Sequence, residues 1–193
     1  MQEFFVAPGK ATIPLWQDKD GSILSQWLVW DFAPGQAAAG FPYETDDTVL
    51  VDDRAGGSYF WITYLPKYLG GGTFYLTGLR DSDGNLYDPN ETYKLNVPKD
   101  TPAKDFWSVI VYSMETKSFI RNVDRVGLSS RDAEDMQVNA DGSYDVYFGP
   151  TPPAGKESNW IPTTEDYFLL FRLYGPESKD FYKSWMLGDL EKI

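Results

Sequence analysis

Short runs of aromatic and β-branched residues, separated by turn-forming residues, dominate the hydrophobic pattern of this chain. Long helical periodicity is missing, and runs of this kind are typical of an all-β sandwich or barrel. The pattern predicts strands at 25–32, 58–65, 73–80, 92–97, 105–113, 143–148 and 166–174. We therefore expect an all-β fold, an antiparallel β-sandwich with few short helices.

Turn signals and the composition of one run predict how the strands are arranged. Asp-Gly pairs occur beside or between the runs at 20–21, 83–84 and 141–142. Because Asp-Gly favours the positive φ angles of tight hairpin turns, we expect antiparallel connections. The run 105–113 is largely apolar on both faces, so we expect it to lie centrally in its sheet.

The negative net charge of the chain argues against partners that are themselves negatively charged. The 193 residues include 17 basic and 29 acidic side chains, for a net charge of −12. Such a chain lacks the positive field that grips phosphate backbones or anionic lipids, so we expect no nucleic-acid partner. No apolar stretch approaches the roughly 20 residues of a membrane span, and Glu3 stands where a signal peptide would be basic. We therefore expect neither a membrane partner nor a signal peptide.

The absence of cysteine and histidine excludes several kinds of active site. The chain cannot supply a Ser-His-Asp triad, a Cys-His dyad, a thiol redox pair or a zinc site with the usual ligands. Only carboxylate, Lys, Tyr, Ser, Thr and Arg chemistry remains. We expect no cofactor, and the cell compartment stays open because a disulfide-free protein is compatible with either redox environment.

Residues 1–71 have a less regular pattern than the rest of the chain, with scattered prolines and an acidic segment at 44–53. The three glycines at 70–72 mark the junction. We expect 1–71 to be a lead-in segment packed on the sandwich, either a remnant or a linker, and 72–193 to form the sandwich domain.

Several motifs after this junction carry a family resemblance. They are Gly72-Thr73-Phe74-Tyr75-Leu76, Pro102-Ala103-Lys104-Asp105-Phe106-Trp107-Ser108-Val109, Tyr147-Phe148-Gly149-Pro150, Lys156-Glu157-Ser158-Asn159-Trp160-Ile161-Pro162 and Arg172-Leu173-Tyr174-Gly175-Pro176. With them, well over half of the chain resembles the bacterial DUF1214 family, which usually forms the C-terminal half of DUF1254/DUF1214 proteins.

The resemblance implies a jelly-roll type of sandwich in a protein that is often exported, and it implies no settled reaction. The front DUF1254 domain is lacking here. The chain is therefore either a short stand-alone member or a fragment whose partner domain is encoded elsewhere.

Two acidic segments are candidates for a calcium site, but neither fits well. The segment 81–88 lacks the glycine position and the closing Glu of a calcium-binding hand, so we interpret it as a hairpin turn. The acids Asp46, Asp47, Asp52 and Asp53 are interpreted as a solvated loop. We expect no metal site.

The ligand-binding candidates are charged and aromatic residues of the late loop and of two strands: Lys156, Glu157, Asn159, Trp160, Arg172, Tyr174, Trp107 and Tyr112. Arg172 lies in an apolar strand, so it either faces solvent or pairs with a carboxylate. In one interpretation Arg172 pairs with Glu157 and pins the loop to the sandwich. In the other, Arg172 recognises an anionic or polar ligand beside aromatic stacking surfaces.

We expect a module that works through binding or domain assembly. Its candidate partners are a partner domain, a second copy of the chain, a carbohydrate or a small polar or anionic ligand. The alternative is a hydrolase or lyase that uses carboxylates, Tyr and Lys156 on a glycan or another polymer. A glycosidase needs two carboxylates roughly 5–10 Å apart, and Glu157 with Asp105 or Asp145 is the candidate pair.

Overall fold

The computed structural model describes residues 12–30, 45–49, 51, 72–178 and 180–193, and their regular structure is mostly strand. The first sheet has the strand order β1 (Thr12–Pro14), β2 (Leu28–Trp30), β3 (Thr73–Gly78), β9 (Tyr167–Pro176), β5 (Ala103–Ser113) and β6 (Gly127–Ser129). The second sheet has the order β10 (Glu191–Lys192), β4 (Tyr93–Val97), β7 (Tyr144–Gly149) and β8 (Trp160–Pro162). Short 3₁₀ helices are η1 (Ser130–Asp132), η2 (Glu157–Asn159) and η3 (Phe181–Lys183).

The two sheets bury one shared hydrophobic core. Strands β3, β5 and β9 contribute side chains from the first sheet, and β4, β7 and β8 contribute theirs from the second. Because successive side chains of a strand point to opposite faces, every second residue of β9 enters this core, and Leu169, Phe171 and Leu173 are completely buried there. The all-β prediction is confirmed, whereas the jelly-roll connectivity stays a prediction.

The strand predictions agree with the structure where the runs are long. The runs predicted at 73–80, 92–97, 105–113, 143–148 and 166–174 correspond to β3, β4, β5, β7 and β9. The described part of the run predicted at 25–32 contains β2, whereas residues 31–32 and the run at 58–65 lie outside the described residues. The pattern missed β1, β6, β8 and β10, because strands of two or three residues are too short to show a period.

Pairing within the sheets is antiparallel except between β7 and β8. Strand β5 lies between β9 and β6, as predicted for a strand that is apolar on both faces. The three predicted Asp-Gly turns have glycine φ angles of 87° at Gly21, 82° at Gly84 and 88° at Gly142.

Residues 12–30 are tied to the C-terminal segment by hydrogen bonds from buried aromatic side chains. Trp16 Nε1 donates to the Tyr182 carbonyl at 2.9 Å, and Trp27 Nε1 donates to the Gly188 carbonyl at 2.9 Å. Strands β1 and β2 also extend the first sheet beyond β3. The domain division after residue 71 stays a prediction.

Gly78 provides a test of how tightly the core is packed at the end of β3. A Cβ atom there would lie 2.7 Å from Trp27 Cζ3 and 2.7 Å from the Tyr87 hydroxyl, and both side chains are buried. Since overpacking a core costs about 1–3 kcal/mol, we expect Gly78→Ala to lower the free energy of unfolding by that amount. Thermal denaturation should show a Tm lower by about 2–10 °C.

Gly188→Ala is the matched control, since a Cβ at Gly188 meets no atom within 4 Å. The packing argument fails if the two variants melt at the same temperature.

Candidate functional site

The eight predicted ligand-binding residues lie in three different places. Four surround η2 and the start of β8, and they are Lys156, Glu157, Asn159 and Trp160. Three lie on the outer face of the first sheet, the face away from the core, and they are Tyr112, Arg172 and Tyr174. Trp107 belongs to the core and is 5% exposed. One site containing all eight is therefore not formed.

The predicted pair of Arg172 with Glu157 is wrong. Arg172 is an outer-face residue of β9, and its Nε donates to Ser108 Oγ at 3.2 Å across the β9–β5 pair. Glu157 lies in η2, next to the second sheet, where its Oε1 accepts from the Gly155 N–H at 3.1 Å. The hydrophobic core separates the two, because the alternation of β9 directs Arg172 away from the second sheet.

Arg125 performs the loop-pinning role that was expected of Arg172. Its Nη1 donates to the backbone carbonyls of Glu157 at 3.3 Å, Ser158 at 2.9 Å and Trp160 at 3.0 Å. The carbonyls at the end of a short helical turn have no partner inside it, and a cation satisfies them well. Sequence reasoning missed Arg125 because it lies in a loop without a recognisable motif.

Asn159 and Lys156 hold the same loop from its other side. Asn159 is 1% exposed, and its Oδ1 accepts from the Gln137 N–H at 2.7 Å. Its Nδ2 donates to the carbonyls of Gln137 at 2.8 Å and Asp145 at 2.9 Å. Lys156 Nζ donates to Gln137 Oε1 at 3.0 Å. The Asn159 amide is therefore occupied by the protein itself.

The outer face of the first sheet carries a depression of about 390 Å³, which we call the two-arginine cleft. Its lining residues are Phe106, Ser108, Ile110, Val126, Gly127, Leu128, Ser129, Arg131, Asp132, Arg172 and Tyr174. A volume of this size is in the range of small-molecule sites. The register brings Ser108 and Tyr75 to either side of Arg172, on neighbouring strands.

A column of four side chains forms the charged part of this cleft. The rings of Phe106 and Tyr174, directly opposite in the β5–β9 register, stack with centroids 4.0 Å apart and planes 13° apart. Arg131 Cζ lies 3.8 Å from the Phe106 ring centre, and Arg172 Cζ lies 5.6 Å from the Tyr174 ring centre. The stacked rings are thus flanked by two guanidinium groups.

Local structure keeps Arg131 in this position. The hydroxyl and N–H of Ser129 both donate to Asp132 Oδ2, at 2.9 Å and 2.7 Å, in a capping box that fixes η1. Ser130 Oγ accepts from the Trp107 N–H at 3.2 Å and ties η1 to β5. Asp132 also lines the cleft, and its Oδ2 is engaged in this cap.

Most donors of the two arginines are free among the described residues. Within this part of the chain, Nε is the Arg172 side-chain atom that makes a hydrogen bond. The Arg131 guanidinium lies over the face of the Phe106 ring. No ion pair of the described ranges includes either side chain. Burial raises the pKa of the Tyr112 phenol, and the Arg172 guanidinium partly offsets this rise. The positive field of Arg172 therefore extends along the outer face.

A second depression, of about 430 Å³, lies beside η2 and β8, and we call it the Trp160 cleft. Its lining residues are Asn122, Val123, Asp124, Arg125, Pro152, Glu157, Trp160, Pro162 and Thr164. Trp160 Nε1 donates to the Gly149 carbonyl at 3.0 Å, which fixes the orientation of the indole. The two clefts share no lining residue.

The segment 81–88 forms the predicted turn. Arg80 pairs with Leu86, and Asp81 Oδ1 accepts from the N–H groups of Asp83 at 3.1 Å and Asn85 at 2.9 Å. Among the residues that the structure describes, no group of three acidic side chains is placed to hold a metal ion. Asp52 and Asp53 of the other acidic segment lie outside these residues.

The helices of the described ranges include none long and apolar enough to cross a membrane.

Comparison with known proteins identifies relatives for most of the chain. Residues 72–178 match the sequence model of a family described as protein of unknown function (DUF1214). The chain is similar to the solved VPA0106 protein from Vibrio parahaemolyticus, with a TM-score of 0.55 and 20% identity, over 76% of this chain and 36% of that one. A putative uncharacterized protein from Burkholderia cenocepacia has a TM-score of 0.43 and 18% identity, over 63% of this chain and 29% of that one.

The likeness to the Vibrio parahaemolyticus protein supports the fold alone, because the two sequences are only 20% identical. This chain spans well under half of the length of either solved protein. No curated protein matches it.

Arg125→Ala tests the loop-pinning role of Arg125. The substitution removes a charged donor from three backbone carbonyls, and hydrogen bonds to charged groups contribute about 1.5–3 kcal/mol each when buried. Because Arg125 is partly exposed, we expect a loss of about 2 kcal/mol of unfolding free energy and a Tm lower by about 4–8 °C.

Arg121→Ala is the control, since Arg121 is exposed and has no hydrogen-bond or ion-pair partner among the described residues. Equal melting of Arg125→Ala and the unsubstituted protein would show that Arg125 does not pin the loop.

Proposed function

This chain belongs to the DUF1214 family, which is described as protein of unknown function. From the chemistry of its surface, we propose that it is a binding module for a small anionic ligand. The ligand would occupy the two-arginine cleft. This proposal makes the outer face of the first sheet, and not the loop around η2, the principal site.

The observation that carries the proposal is the pair of guanidinium groups on either side of the Phe106–Tyr174 stack. Guanidinium groups that serve structure are normally paired with a carboxylate or bonded to carbonyls, as Arg125 is. Arg131 and Arg172 instead line the cleft with no carboxylate partner among the described residues, and Nε is the one Arg172 side-chain atom that donates to a described residue. Arg172 is half-buried and Arg131 is exposed, and their unengaged donors suit an oxyanion that can accept from both.

The shared position of the two arginines, more than their lack of an ion pair, supports this interpretation. A chain with a net charge of −12 has many carboxylates available to neutralise an arginine. Even so, no ion pair of the described residues includes an arginine, so what distinguishes Arg131 and Arg172 is that both line the same cleft. A carboxylate or phosphate group is the chemistry that matches the planar, multi-donor guanidinium.

The walls of the cleft suggest what the rest of the ligand is like. Ile110, Val126 and Leu128 supply apolar surface, and the rings of Phe106 and Tyr174 supply a stacked pair. Small-molecule sites combine such surfaces with a few polar groups that set orientation. The best match is a small carboxylic acid or phosphate ester with an apolar or aromatic body.

The alternative hydrolase or lyase has less support from the positions of the acids. Asp105 lies in β5 of the first sheet and Asp145 in β7 of the second, where Asp145 Oδ1 accepts from Asn96 Nδ2 at 2.8 Å. Neither acid lines the two-arginine cleft or the Trp160 cleft. Glu157 does line the Trp160 cleft, with Asp124 as the other acid there. The binding role is therefore the proposal we favour.

The proposal predicts that Arg172→Gln weakens anion binding without unfolding the protein. Titration of the isotope-labelled protein with phosphate, benzoate, phenyl phosphate and citrate, followed by amide NMR shifts, measures this. We expect saturable shifts at residues of β5, β6 and β9 that line the cleft. Because a charged hydrogen bond contributes about 1.5–3 kcal/mol, Arg172→Gln should weaken Kd at least about tenfold. Arg131→Gln should weaken it as well.

Arg121→Gln removes the same charge from a surface position outside the cleft and should leave Kd unchanged. Absence of saturable shifts with all four anions would refute the proposal. So would an Arg172→Gln variant that binds them as tightly as the unsubstituted protein does.

A further inference from the structure

The Trp160 cleft has the features of a second, separate ligand site. We infer that it binds a neutral saccharide, whose sugar ring stacks on the Trp160 indole while its hydroxyl groups bond to the rim. This inference goes beyond the proposed anion site, because the two clefts lie against different sheets and have no residue in common.

The indole of Trp160 is a rigid, partly exposed platform. Its Nε1–H is bonded to the Gly149 carbonyl at 3.0 Å, across the parallel β7–β8 pair. The backbone carbonyl of Trp160 accepts from Arg125 at 3.0 Å, which fixes the residue from the other side. Pro152 and Pro162 line the same cleft and add stiff apolar surface. A platform that is ordered before binding loses little conformational entropy when a ligand stacks on it.

The rim offers the donors and acceptors that hydroxyl groups need. Asn122, Asp124 and Thr164 line the cleft, are exposed, and form no side-chain hydrogen bond with any described residue. An amide both donates and accepts, a carboxylate accepts, and a hydroxyl does both. A ligand with several hydroxyl groups can satisfy all three side chains, whereas a purely apolar ligand would leave them unpaired.

The charged side chains that line the Trp160 cleft favour a neutral ligand over a charged one. The Nη1 atom of Arg125, the cation of this cleft, is already bonded to three backbone carbonyls. Asp124 and Glu157 then leave the rim acidic, which disfavours anions. An ammonium ligand prefers a cage of several aromatic faces, and the lining residues of this cleft include a single aromatic ring, Trp160. A neutral polyhydroxylated ligand fits the combination best.

The test is an NMR titration with neutral oligosaccharides. The probes are the pentasaccharides of β-1,4-glucose, β-1,3-glucose, α-1,4-glucose, β-1,4-xylose, β-1,4-mannose and N-acetylglucosamine. We expect at least one of them to give a saturable shift of the Trp160 indole N–H and of the amides at 122–124. Sodium phosphate and tetramethylammonium chloride are added in parallel as the anionic and cationic alternatives.

Substitutions at the rim test the site without disturbing the platform, since Trp160→Ala would also remove the bond to Gly149. We expect Asn122→Gly and Asp124→Ala each to weaken saccharide binding about three- to tenfold, with an unchanged Tm. Glycine replaces Asn122 because this residue has a φ of 58°, which glycine adopts without strain. Asp100→Ala is the matched control, because Asp100 is exposed and does not line the cleft. Arg172→Gln should bind the saccharide normally, which separates this inference from the proposed anion site.

Three results would overturn the inference. The first is that none of the six saccharides gives a saturable shift. The second is that the Asn122 and Asp124 variants bind as tightly as the Asp100 variant. The third is that phosphate or tetramethylammonium displaces the saccharide signal at lower concentration than the saccharide itself requires.

Discussion

The two-residue period of β9 is the constraint on which the rest of the structure depends. This strand lies between β3 and β5, and Leu169, Phe171 and Leu173 fill the core while Arg172 and Tyr174 face outward. A slip of one residue in its register would exchange the two sets. The arginine would then enter an apolar core without a partner, which is strongly unfavourable. The packing that builds the sandwich therefore also holds Arg172 in its cleft.

Three arginines of the same chain have different roles because their surroundings differ. Arg125 lies beside η2, where its Nη1 atom donates to three backbone carbonyls. Arg131 stands over an aromatic ring at the edge of the first sheet, and Arg172 lies on its face beside Ser108. The chemistry of the guanidinium is constant, so the available acceptors decide whether it stabilises a loop or remains open to a ligand.

The two clefts differ in the same physical way. On the outer face of the first sheet, the acid Asp132 is held by the N–H and hydroxyl of Ser129, and the positive charges are left open. Beside η2, Arg125 is bonded to carbonyls and Glu157 accepts from the Gly155 N–H, while Asp124 forms no side-chain hydrogen bond with a described residue. In each cleft, internal hydrogen bonds thus decide which charged groups keep donors or acceptors available for a ligand.

The long strands, the Asp-Gly turns and the family could be predicted from the sequence, because each depends on a pattern of residues that are close together along the chain. The exclusion of histidine and cysteine chemistry needs composition alone. Only the tertiary structure decided which arginine pins the loop and which residues form one cleft. Arg125 meets Ser158 across 33 positions of sequence, and Arg172 meets Ser108 across 64. Such contacts follow from sheet register and strand order, which no local pattern of hydrophobic and polar residues contains.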